Sequence, residues 1–89
     1  MADSIKPSTY FGLMAEFQKA HIPIIEIGEK YFGYDSEKSK REAARGKYPF
    51  PVFRLGSNKT TWMVAIEDFA AYLDQVKEKA KKEYRAAKG

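Results

Sequence analysis

The chain has 89 residues, 44% hydrophobic and 15% aromatic, with Trp62, six Tyr and six Phe, which suffices for one compact core and leaves little room for a second domain or a cofactor cavity. Sixteen Lys and Arg against twelve Asp and Glu give a net charge of +4, a mild excess that many proteins share and that alone assigns no partner. Cysteine is absent, which excludes disulfides and thiolate metal sites and fits a reducing compartment.

In chain order, residues 1–7 read as a polar, flexible leader. No basic segment followed by a long apolar run begins the chain, and no stretch nears the roughly 18 apolar residues of a membrane span, so neither secretion nor insertion is expected. Tyr10, Leu13, Met14 and Phe17 fall at i, i+3, i+4 and i+7, the spacing of an amphipathic helix capped by Ser8 or Thr9 and ending near Ala20. His21-Ile22-Pro23 interrupts it, since proline holds the residue before it extended and suits the first turn of a following helix. Ile24, Ile27, Gly28 and Tyr31 repeat the pattern, and Gly33 stands where a left-handed terminator is needed. A glycine inside a helix costs about 1 kcal/mol against alanine, so Gly28 marks a place where another helix comes close.

Asp35 is then a good N-cap for a third helix over 36–45, stopped by Gly46. Its inward positions are only Ser39 and Ala43, both small. Pro49-Phe50-Pro51 breaks any helix, and strands over 52–55 and 61–64 around the turn residues Gly56 to Thr60 predict a β-hairpin over 51–64. Ile66, Phe69, Ala70, Leu73, Val76, Ala80 and Tyr84 lie at helical spacing in a long last helix, with Glu67 and Asp68 at the positive end of its dipole. Its last third, from Lys77 to Lys88, carries six basic residues against two acidic and is expected to leave the core.

The order helix, helix, short turn, helix, hairpin, helix is that of an α+β, mostly helical winged helix-turn-helix, comprising about four helices and a two-stranded wing. The expected organisation is leader 1–7, winged-helix DNA-binding domain 8–76 and basic extension 77–89. Between Lys38 and Lys47 stand five basic residues and one acid. Alone, such a cluster is an ordinary solvated helix face. Paired with a wing whose Arg54, Ser57, Asn58, Lys59, Thr60 and Thr61 supply donors without an acid, it fits duplex DNA, with a helix in the major groove and a wing on the backbone or minor groove. Ser36 opens the helix as a further expected DNA-binding residue, and Glu37, Lys38 and Arg41 lie near its start, where base edges are reached. Base reading is assigned to Lys38 and Arg41, and phosphate contacts to Lys40, Arg45, Lys47, Arg54 and Lys59.

Other chemistries find no support. His21 is the only histidine and has no neighbouring ligand set or nucleophile. Glu67 and Asp68 sit where helix electrostatics place acids, and Gly28, Gly33 and Gly56 form no phosphate-cradling loop. No catalytic residue, metal or cofactor is expected. Trp62 and Phe53 read as core and wing packing rather than a stacking platform. The apolar stripes of the first helix and of Val76, Ala80 and Tyr84 need cover, either from each other or from a second copy.

Taken together, Phe11-Gly12-Leu13-Met14-Ala15-Glu16-Phe17, Ile22-Pro23-Ile24, Tyr31-Phe32-Gly33, Lys38-Ser39-Lys40-Arg41, Pro49-Phe50-Pro51 with Arg54, and Glu67-Asp68-Phe69-Ala70-Ala71-Tyr72-Leu73-Asp74 resemble the pyocin activator protein (PrtN) family. The part from Ile22 onward is also similar to the wider excisionase and MerR-like winged-helix group. The resemblance implies sequence-specific binding of double-stranded DNA by a regulator of phage or prophage-like genes. Its role is that of a transcriptional activator, or else of a recombination directionality factor bending DNA beside an integrase. Family members often carry a large apolar residue where Ser39 stands.

The expected partners are double-stranded DNA, a second copy as homodimer or DNA-templated oligomer, and an integrase or RNA polymerase, with no membrane. The expected location is the cytoplasm, at the nucleoid when DNA is bound. A reading of another class is a protein-interaction module or inhibitor that docks through the first helix and uses its basic face only for solubility.

Overall fold

The computed structural model describes residues 7–56 and 60–88. In chain order they form α1 (Pro7–Phe17), β1 (His21–Pro23), α2 (Ile24–Ile27) continuing as a π-helical stretch (Gly28–Phe32), α3 (Ser36–Ala44), β2 (Met63–Ala65) and α4 (Ile66–Lys88). With α2 and its π continuation as one helix, this is an α+β fold of four helices and a two-stranded antiparallel sheet, winged-helix-like in its order. No helix among the described residues is long and apolar enough to cross a membrane.

α1 stops at Phe17, short of the expected Ala20. Gln18 takes up a left-handed conformation (φ 57°), and its N–H donates to Met14 O at 2.8 Å. That turn releases the chain so that Ala20 O can accept from Ile66 N at 2.9 Å, tying the link between α1 and β1 to the start of α4.

The sheet differs from the expected hairpin. β2 pairs antiparallel with β1 in the register His21↔Ala65, Ile22↔Val64, Pro23↔Met63, so the segment read as an interruption between helices is a strand. Ile24 N continues the pairing by donating to Trp62 O at 2.9 Å, one residue past the proline that has no N–H to give. On the other side of β2 the expected strand 52–55 is reduced to one bridge, Phe53↔Met63, closed by two backbone hydrogen bonds of 2.9 and 2.8 Å. Pro49 and Pro51 limit regular pairing before it, and Gly56, with φ 73°, turns the chain away after Leu55. Ser57, Asn58 and Lys59, expected at the hairpin tip, lie outside the described residues.

α1 begins at Pro7, so Ser8 and Thr9, expected to cap it, lie inside the helix, whereas the punctuation around α3 is as the sequence predicts. Gly33 closes the π stretch in a left-handed conformation (φ 70°), its N–H donating to Gly28 O. The Asp35 side chain caps α3 by accepting from Lys38 N at 2.8 Å. At its other end Gly46 N donates to Ala43 O at 3.1 Å and Lys47 N to Glu42 O at 3.0 Å, the paired bonds of a Schellman motif around a left-handed glycine.

The core contains Leu13, Ile22, Ile24, Ile27, Val64, Ile66, Phe69 and Ala70, with Tyr48 and Phe50 brought in by the segment after α3. Around it Phe32, Tyr48, Phe50, Phe69 and Tyr72 form a ring cluster with centroids 5.4–6.2 Å apart in edge and stacked arrangements, geometries that add to simple area burial. α1 packs on α4, joined by Thr9 Oγ1 donating to the buried Asp74 at 2.6 Å. Beyond that point α4 leaves the core, with Val76 and Tyr84 exposed. Of the stripe expected to continue from Leu73, Val76, Ala80 and Tyr84 are exposed.

Candidate nucleic-acid interface

The position of α3 is set by what lies beneath it. Ser39 and Ala43, 0% and 2% exposed, face the core as predicted. Gly28 of the π stretch lies directly under Ser39: a Cβ there would meet the Ser39 side chain, its Cβ at 2.9 Å, and the Tyr48 hydroxyl at 3.3 Å. The missing side chain lets the two helices approach closely, as the cost of a helical glycine implied. Tyr48 supports α3 from below, its hydroxyl donating to Ser39 O at 3.2 Å, and burial pushes its ionisation upward. Among the described residues, Ser39 Oγ is the buried side-chain polar atom with no hydrogen-bond partner.

With α3 so seated, its polar face and the described parts of the segment expected as the wing, on either side of the Phe53–Met63 bridge, flank a cleft of about 640 Å³. Six of the expected site residues line it: Glu37, Lys40 and Arg41 from α3, and Arg54, Thr60 and Thr61 from the wing. Its apolar lining is Ile25, Ala44 and Trp62. The Arg54 guanidinium lies 4.4 Å from the Trp62 ring centroid, a cation–π contact that orients this long side chain. Lys40 Nζ lies 3.4 Å from Glu37 Oε2, both side chains well exposed.

The remaining expected residues stand elsewhere. Lys38 Nζ lies 4.6 Å from the centroid of Tyr34 and does not line the cleft. Ser36 opens α3, Arg45 is its C-cap and Lys47 follows Gly46. Ser57, Asn58 and Lys59 are not among the described residues.

The sequence reading missed Ile25 and Ala44. Ile25 is adjacent to core-facing Ile24, and a doubled isoleucine is the one trace of a side chain serving a second surface. Trp62, expected in wing packing, is half-buried and carries Arg54. His21 packs edge-on against Phe53 at 5.6 Å. No group of three or more His, Asp or Glu side chains among the described residues converges to hold a metal ion.

Chemically, the described residues of the cleft offer three cations, one carboxylate and two hydroxyls around a partly apolar floor. It is open, so it suits the edge of a large anionic polymer better than an enclosed small molecule. Comparison with known proteins adds one finding: the family model described as Pyocin activator protein PrtN matches residues 9–80. No curated protein and no solved structure matches the chain.

Proposed function

The chain belongs to the pyocin activator protein PrtN family, and from that footing we propose that it is a transcriptional activator of phage or prophage-like genes that binds duplex DNA along the cleft between α3 and the wing. The observation that carries this reading is the gathering of Lys40 and Arg41 with Arg54, Thr60 and Thr61 on one open face. Two segments distant in sequence supply these donors, as simultaneous contact with a groove and its flanking backbone requires. Arg41 is the base reader, since its bidentate guanidinium matches guanine O6 and N7. Lys38 would have to leave the Tyr34 ring to join it. Lys40, Arg45, Lys47, Arg54 and Lys59 meet phosphate.

An activator of this kind has RNA polymerase as its second partner. The test is to recover bound fragments from the host genome, footprint the tightest, and transcribe it with purified RNA polymerase. One protected site beside a promoter with increased transcript supports activation. Protection of an array at an attachment site, with bending and no change in transcript, assigns the chain to excision instead. Absence of salt-sensitive binding to any duplex contradicts both.

A further inference from the structure

Among the described residues Glu37 is the one acid lining the cleft, and a groove that only held phosphate would gain nothing from it: a carboxylate repels the backbone and offers no donor. Two local roles do not require its presence there. At the first turn of α3 it meets the positive end of the helix dipole, but Asp35 already caps that end through Lys38 N. Its ion pair with Lys40, at 3.4 Å between side chains 52% and 81% exposed, is a solvent-screened contact of small worth.

A carboxylate at this position can, however, accept a hydrogen bond from an exocyclic base amine, which the neighbouring Lys and Arg cannot do. In the major groove the cytosine N4 amine is the donor that acids read. Glu37 and Arg41 are four residues apart, hence neighbours on one helix face, displaced by about 6 Å along the axis. That matches one to two base-pair steps of about 3.4 Å. Lys40, beside Glu37, offsets the repulsion between its carboxylate and nearby phosphates.

We propose that Glu37 is a specificity-determining residue that accepts from a cytosine N4 amine within two base pairs of the guanine contacted by Arg41. This rests on the cleft being the face that reads duplex DNA.

The experiment is a parallel selection from a randomised duplex pool with the full chain, Glu37→Gln and Glu37→Ala, followed by affinity measurements on duplexes differing only at the selected cytosine. The parent is expected to enrich a motif with a cytosine within two positions of a guanine. Glu37→Gln should move that position toward adenine, which Gln reads through N6 and N7. Glu37→Ala should flatten it, with about tenfold loss of discrimination there and the other positions unchanged. Folding is not at risk from so exposed a side chain, and circular dichroism checks it. If all three proteins enrich the same motif, or the variants bind every duplex more tightly with no position altered, the carboxylate is not a base reader and the inference falls alone. If the parent enriches no sequence, the DNA-reading cleft itself falls.

Discussion

Gly28 and Ser39 meet at the crossing of the π stretch and α3, so closely that a Cβ on the glycine would stand 2.9 Å from the Ser39 Cβ. The orientation of the polar face of α3 depends on this contact, because Ser39 and Ala43 are the buried side chains of that helix. Gly28→Ala would gain up to about 1 kcal/mol of helix propensity but must displace a backbone-anchored neighbour, at a typical overpacking cost of about 1–3 kcal/mol. The expected outcome is net destabilisation of about 1–2 kcal/mol, read from urea unfolding. Ser39→Ala removes a buried hydroxyl without a partner, so it should be neutral or stabilising by up to about 1 kcal/mol.

The Thr9–Asp74 hydrogen bond, 2.6 Å long with Asp74 6% exposed, ties α1 to α4, and Lys77 Nζ donates to the same Thr9 hydroxyl at 3.1 Å. Removing either side should loosen α1. Thr9→Val is expected to cost about 1–3 kcal/mol, because the buried carboxylate loses a donor. Asp74→Ala should cost a similar amount, and a double-mutant cycle should return coupling well above zero, measured by chemical denaturation.

A second tie joins α1 to the π stretch. Tyr31 Oη donates to Glu16 Oε1 at 2.8 Å, and Lys30 forms an ion pair with the same carboxylate. The hydrogen bond from Lys30 holds the Glu16 carboxyl below its ordinary value. Burial, and then the bond to Glu16, push the Tyr31 hydroxyl up to about 12. The signs are opposite. Glu16 contributes stability above the ordinary carboxylate value of 4.5, lost as pH falls through its lowered one. Tyr31 contributes below 10.0, lost as pH rises toward about 12. Urea midpoints measured against pH should fall at both ends. Tyr31→Phe should reduce the alkaline fall, leaving the part due to Tyr48, whose ionisation is also raised.

Much of this architecture is legible in the sequence because local chemistry punctuates it. Asp35, Gly33 and Gly46 mark helix ends that no tertiary contact overrides, and the cost of a glycine inside a helix pointed to the crossing at Gly28. β1 escaped notice because three residues containing a proline carry no alternation to read, and their pairing partner lies some forty positions away. Asp74 escaped because an aspartate on a helix reads as solvated until Thr9 is brought to it. The sequence pairs charge on α3 with donors on the segment after Pro51, and six of the residues so paired line the cleft. Which cations share it was not legible: Lys38 and Arg41 both lie on the polar side of α3, yet Arg41 lines the cleft and Lys38 lies against the Tyr34 ring.

The central claim, that the cleft between α3 and the wing reads duplex DNA, is tested most directly by measuring Kd against salt for the parent, Arg41→Ala and Lys40→Ala, on the selected duplex and on a scrambled one. Arg41→Ala should lose about 1–3 kcal/mol on the selected duplex and much less on the scrambled one. Lys40→Ala should weaken binding to both alike and reduce the salt slope by about one. Binding indistinguishable from the parent on both duplexes at every salt concentration, in both variants, would contradict the account.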